Sequence, residues 1–224
     1  MIEPVRIVPL SESAITVEFG DTITLENNQK AIALANELNN EPFDGMIEAV
    51  PAYKSTTIYY DIFSVRQANS EISGGPAVEK IVRDRLRNLL LRDEVKAQTK
   101  VIEFTADAGE FDLQYVADTK QISVNEVITI FTSAEYRVFM LGFLPGFAYL
   151  GTIDERLVLP RREKPRQRVP AGSVAIAGRQ AGVYPLDSPG GWHIIGQTST
   201  PMFTPVADNI TALRAGMRVR FEAV

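Results

Sequence analysis

The sequence predicts an α+β protein in two parts: a small α+β sandwich with an antiparallel sheet over residues 1–95, and a β-barrel-like domain over residues 96–224. Three observations carry this. In the first part, short alternating apolar runs are interrupted twice by segments of helical spacing, giving the order ββαββα. A polar stretch, Lys96 to Lys100, then links the halves and places the boundary near residue 95. Beyond it, Leu141 to Thr198 holds most of the chain's glycines, and apolar runs such as Val174-Ala175-Ile176-Ala177 are too short for helices.

Val5, Ile7, Val8 and Leu10 form the first expected strand. Ser11-Glu12-Ser13 turns the chain into a second, with Ala14, Ile15, Val17 and Phe19. Thr24 is placed to cap a helix over about 25–39, with Leu25, Ile32, Ala35 and Leu38 as its inner face. Met46 to Val50 and Thr56 to Tyr60 read as two further strands, and the polar residues 64–76 as a surface loop. A second helix fits 77–92, where Val78, Ile81, Val82, Leu86, Leu89 and Leu90 share one stripe. This half carries no nucleophile, metal cluster or phosphate loop, which points to a scaffold or docking role.

In the second half Val101 to Phe104 is an expected strand and Ala106 to Glu110 a turn. Ser123 to Phe131 reads as a short helix opened by a capping box between Ser123 and Glu126. Tyr136 to Met140 delivers the chain into the glycine-rich stretch. Asp208-Asn209 reads as a capped turn, and Met217 to Phe221 as the strand that closes the barrel.

Composition excludes several functions. There are no cysteines, so disulfides, cysteine zinc sites and a thiol nucleophile are ruled out, and a reducing cytoplasm is expected. A single histidine excludes a histidine metal cage, and no metal is expected. A net charge of −5 argues against nucleic acid as the main partner. No apolar run is long enough to span a bilayer, so no membrane role is expected. Neither a Walker A pattern nor Gly-x-Gly-x-x-Gly occurs.

Three features of 141–198 bear on chemistry. In LGFLPGFAYLG, Phe143, Phe147 and Tyr149 alternate with glycine and proline, which suits either a pocket wall or a Pro-Gly turn between core strands. Arg156, Arg161, Arg162, Lys164, Arg166, Arg168 and Arg179 reverse the chain's overall sign locally, and guanidinium forks suit carboxylate and phosphate groups. A solvated loop whose arginines pair with distant acids explains the same letters. In DSPGGWHIIGQT, Trp192 and His193 present an aromatic ring beside a titratable one, fit for proton transfer or for structure.

The segments LGFLPGFAYLG, LPRREKPRQRVPAGSVAIAG and GVYPLDSPGGWHIIGQT, in this order and spacing, resemble the allophanate hydrolase subunit 1 family. That family includes the B subunit of bacterial 5-oxoprolinase and the Kip-type inhibitor of a sporulation histidine kinase, and its domain recurs in the carboxyltransferase part of urea carboxylase. ITVEFGDTI and VPAYKS extend the likeness to the first half. Two departures stand out. Residues 105–113 keep Gly109-Glu110-Phe111 and Asp112-Leu113 but lack other glycines and the proline of the family loop, and Gln197 stands where arginine is common.

The resemblance implies a cyclophilin-like barrel for residues 96–224. It also implies the role of the B subunit in an ATP-dependent 5-oxoprolinase, with the C and A subunits as partners, converting 5-oxoproline to L-glutamate. On that basis Arg162, Arg166 and Arg168 are expected to bind anions, His193 to transfer or orient a proton, and Tyr149 and Gln180 to wall the pocket. ATP would be used by the complex, without a nucleotide motif in this chain. The alternative is a Kip-type inhibitor that binds a sensor histidine kinase and blocks its autophosphorylation. Prolyl isomerase activity, suggested by fold analogy alone, is weaker still.

Overall fold

The computed structural model describes residues 5–68, 74–89, 99–106, 111–206 and 210–224. The chain divides into two compact units, Met1–Val95 and Lys96–Val224.

In the first unit, strands β1 (Val5–Ser11), β2 (Ala14–Phe19), β3 (Met46–Pro51) and β4 (Ser55–Tyr60) form an antiparallel sheet in the order β1-β2-β4-β3. One face, with Ile15, Val17, Phe19, Ala49, Ile58 and Tyr60, buries against helices. Helix α1 (Leu25–Asn40) is capped by Thr24, whose hydroxyl accepts from the Asn27 N–H at 3.1 Å. Its inner face is the expected one at Ala35 and Leu38 but is rotated elsewhere. Asn27, Asn28, Ala31, Leu34, Ala35 and Leu38 are buried, while Leu25 stands exposed and Ile32 is only partly covered. The cause is polar: the Asn28 amide donates to the Ala52 and Tyr53 carbonyls at 3.2 and 3.1 Å, so a fully buried asparagine sets the rotation of the helix.

The loop expected over 64–76 is also corrected, because it opens as helix α2 (Ile62–Ala68). The Asp61 carboxylate accepts from the backbone N–H groups of Phe63 and Ser64 and from the Ser64 hydroxyl, which starts the helix, and Val65 is fully buried. Helix α3 (Gly74–Asn88) begins earlier than expected and admits Pro76 in its first turn, where no N–H is needed. Val78 and Val82 of its stripe are fully buried. Leu90 lies outside the described residues.

The second unit is a seven-stranded sheet that nearly closes on itself. Its strands are β5 (Thr99–Phe104), β6 (Glu135–Leu141), β7 (Ala148–Gly151), β9 (Ser173–Ala177), β10 (Gln180–Val183), β12 (His193–Gln197) and β13 (Arg218–Ala223), in the order β12-β9-β10-β7-β6-β13-β5. Only β13 and β5 run parallel. The two end strands are joined by a bridge, in which the N–H groups of Thr105 and Gln197 each donate to the other's carbonyl at 2.8 and 2.9 Å. A core residue from each of the seven strands enters the interior: Phe104, Val138, Leu150, Ile176, Ala181, Ile195 and Phe221 among them. Strands β8 (Arg166–Val169) and β11 (Ser188–Gly190) form a separate ribbon.

Two helices pack into this interior. Helix α5 (Val124–Ser133) starts with the expected capping box of Ser123 and Glu126 and buries Val127, Ile130 and Phe131. Helix α4 (Leu113–Lys120), where no element was expected, buries Leu113, Val116 and Ala117. Strand β5 begins at Thr99, inside the expected linker, and the last strand begins at Arg218. The expected turn at 106–110 falls mostly, and that at Asp208-Asn209 entirely, outside the described residues.

Candidate anion and aromatic site

Every residue of β9 is buried, so the strand is covered on both faces. Val174 and Ile176 point into the barrel, whereas Ala175 and Ala177 point outward into a second apolar cluster with Phe147, Val169, Tyr184, Trp192 and Ile194. Phe147 sits at the centre of the rings. Tyr149, Tyr184, Trp192 and Phe143 stand edge-on to it, with centroids 4.9, 5.2, 5.5 and 5.6 Å away. Gly190 makes room for this arrangement, since a Cβ there would lie 2.3 Å from the Tyr184 hydroxyl oxygen.

Both readings of LGFLPGFAYLG therefore hold in part. Pro145-Gly146 does turn the chain between β6 and β7, and Phe147 is a core residue at 1% exposure. Tyr149 stays half-buried, and Phe143 stands 62% exposed at a positive φ of 71°. Burial pushes the Tyr149 and Tyr184 phenols up, with the positive charge of Arg161 acting in the opposite direction on both.

Asp112, just before α4, organises the neighbouring charges. Its carboxylate is 6% exposed and accepts from Arg166 Nη1 and Nη2 at 2.7 and 2.8 Å, from Arg162 Nη1, and from the Ile194 N–H at 2.9 Å. Its own N–H donates to the Ile194 carbonyl at 2.8 Å. Burial alone would raise this carboxyl, but the Arg166 bond, the Ile194 N–H and the two guanidinium charges outweigh it and hold it below the usual carboxylate range.

His193 lies beside this hub at 3% exposure. Its Nε2 is 2.9 Å from the Pro160 carbonyl oxygen, which can only accept, so Nε2 carries the proton. The ring stacks on Tyr115 at 5.3 Å and 11°, and its buried Nδ1 has no hydrogen-bond partner among the described residues. Desolvation by burial lowers its pKa against the Pro160 bond, leaving a neutral imidazole at neutral pH.

The structure thus gathers Arg162, Arg166 and His193 around Asp112 and sets the other expected residues apart. Arg168 pairs with Asp187, both at the surface. Tyr149 borders the aromatic cluster, and Gln180 lies on the same outer face of the barrel, directly across from Ala177. Asp112 and Tyr115 were missed as site residues. The one signal for Asp112 was its survival in a family loop that is otherwise altered. Among the described residues no group of three His, Cys, Asp or Glu side chains could hold a metal ion. Among them, too, no helix is long and apolar enough to cross a membrane.

Residues 5–213 match the model of the carboxyltransferase domain, subdomains C and D. The chain belongs to this family. Among its curated members, the 5-oxoprolinase B subunit of Bacillus subtilis is 40% identical over 221 residues, covering 96% of this chain and 91% of that protein. The namesake from Escherichia coli O157:H7 is 38% identical over 215 residues, covering 95% and 93%. The solved structure of TTHA0988 superposes with a TM-score of 0.81 at 33% identity and covers 99% of this chain. This carboxyltransferase-family chain spans only 40% of TTHA0988.

Proposed function

We propose that this chain is the B subunit of a cytoplasmic, ATP-dependent 5-oxoprolinase, a non-autonomous part of an assembly with C and A subunits that opens 5-oxoproline to L-glutamate. The observation that carries this is the near full-length match to curated 5-oxoprolinase B subunits. The geometry supports it. An arginine-rich loop, two of whose guanidinium groups are fixed by Asp112, is joined through Gly191 and His193 to the aromatic cluster around Trp192, and the substrate is a compact ring bearing a carboxylate, a group that an unpaired guanidinium holds well. The barrel that carries this loop is taken as cyclophilin-like.

Within this reading Asp112 holds Arg162 and Arg166 in place beside the substrate, and His193 orients the Pro160–Arg162 segment through its Nε2–H. Its Nδ1 is buried, so His193 is assigned the orienting role rather than direct proton transfer. For ATP the fit is poor. The sequence has no phosphate-binding loop, and Arg162, Arg166 and Arg168 are each already engaged by a carboxylate. ATP consumption is therefore assigned to the assembled complex, and no step in this chain runs through it.

The test is glutamate release from 5-oxoproline and ATP by this chain with candidate C and A subunits, and with each omitted. Turnover only in the full mixture is expected. Silence in a mixture shown to be folded and assembled would overturn the assignment, and inhibition of histidine kinase autophosphorylation would be assayed in its place.

A further inference from the structure

Five of the seven basic residues between 156 and 179 are already neutralised. Arg156 pairs with Asp154, Arg162 and Arg166 with Asp112, Arg168 with Asp187, and Arg179 with Glu155. Among the described residues Arg161 and Lys164 carry no ion pair. Lys164 is an exposed point charge in the loop. Arg161 is placed differently. The residues on either side of it are fastened to the turn into β12: Pro160 accepts from His193 Nε2 at 2.9 Å, and the Arg162 N–H donates to the Gly191 carbonyl at 2.8 Å. Trp192 lies between those two anchor points. Arg162 reaches back to Asp112, while the charge of Arg161 acts on the phenols of Tyr149 and Tyr184, on the aromatic side.

The result is an exposed guanidinium without an ion pair, on a backbone fastened at Trp192, whose buried ring packs edge-on against the half-buried Tyr149 at 5.9 Å; Phe143 stands exposed on the same aromatic cluster. We propose that Arg161, together with the half-buried Tyr149 ring, is the seat for a compact cyclic amide bearing one carboxylate, the guanidinium taking the carboxylate and the ring the five-membered face. The proposal rests on the oxoprolinase reading and replaces the paired arginines with Arg161 as the group that selects the substrate's charge. A fork already saturated by Asp112 has little left for a second carboxylate, whereas a free one can bind it through two parallel N–H bonds.

The experiment is steady-state kinetics of the assembled complex carrying Arg161→Ala or Arg161→Lys in this chain. With Arg161→Ala, the KM for 5-oxoproline should rise about tenfold or more, the loss of one charge-assisted contact. The KM for ATP should stay unchanged, and Arg161→Lys should recover part of the loss. A KM for 5-oxoproline that does not move in an active Arg161→Ala complex overturns the proposal. If the unsubstituted complex shows no turnover, the oxoprolinase reading has failed, and equilibrium dialysis of the same complex against labelled 5-oxoproline decides the seat separately. Binding abolished by Arg161→Ala sustains it. No binding, or binding indifferent to the substitution, overturns it.

Discussion

Arg166 meets Asp112 fork to fork across 54 positions of sequence, with Nη1 on Oδ2 at 2.7 Å and Nη2 on Oδ1 at 2.8 Å. The pair ties the ribbon strand β8 to the start of α4, and the Ile194 N–H on the same carboxylate adds β12. Asp112→Asn keeps the shape but leaves two partly buried guanidinium groups without a counter-charge. Unfolding in urea should show a loss of about 3 kcal/mol, the scale for breaking a buried ion pair by removing one member. A loss near zero would mean that the carboxylate is solvated in solution.

Arg168 serves as the contrast. Its side chain is 78% exposed and that of Asp187 46%, so water and salt screen the pair. Arg168→Ala should leave the urea midpoint unchanged within error. A large shift would show that the Arg168–Asp187 contact orders the ribbon rather than decorating it.

His193 supplies a pH dependence whose sign follows from its burial. The folded chain holds the imidazole below its ordinary value of 6.5, whereas the unfolded chain does not. Between the lowered value and about 6.5 the unfolded state therefore binds the extra proton, and stability falls as pH drops through that window. The ring faces Tyr115, with Asp112, Arg162 and Arg166 as the nearest charges. In His193→Gln the amide can still donate to Pro160, and thermal midpoints between pH 7 and 5 should fall less steeply than in the unsubstituted protein. Equal slopes would assign the acid sensitivity to other groups.

Gly196 lies beside the seam of the barrel. A Cβ there would stand 2.4 Å from the Thr105 carbonyl oxygen and 2.6 Å from the Phe104 ring. Gly196→Ala should therefore cost about 1–3 kcal/mol, the usual range for overpacking, read as a lowered urea midpoint. Unchanged stability would show that the seam yields without loss.

Much of the fold was legible because local rules and tertiary packing agree. Thr24 and the Ser123–Glu126 box cap helices at the expected places, and alternation marked most of the strands. Where the sequence misled, long-range polar contacts had decided the matter. Nothing near Asn28 announces that its amide will be spent on the Ala52 and Tyr53 carbonyls, so the apolar letters placed Ala35 and Leu38 correctly but put Leu25 and Ile32 on the inner face of α1 in place of Asn28, Ala31 and Leu34. Helix α4 presents only Leu113, Val116 and Ala117 to the core, too short a stripe to stand out. The arginine cluster was visible as letters, yet which arginines are neutralised depends on single acids placed far away, Asp112 above all.

The position of β13 has a consequence for how the second unit is made. Among the described residues, strand β5 has β13 as its sole ladder partner, and β13 stands between it and β6. During synthesis, the stretch holding Ile102 and Phe104 leaves the ribosome with no neighbour to pair with until nearly the whole chain has followed. The parallel pairing of Ile102 with Phe221 is thus among the most distant contacts the polypeptide makes, and contacts of that span form slowly. Until it forms, the barrel is an open sheet with unpaired edges, the state in which this protein is most exposed to aggregation and most in need of a chaperone.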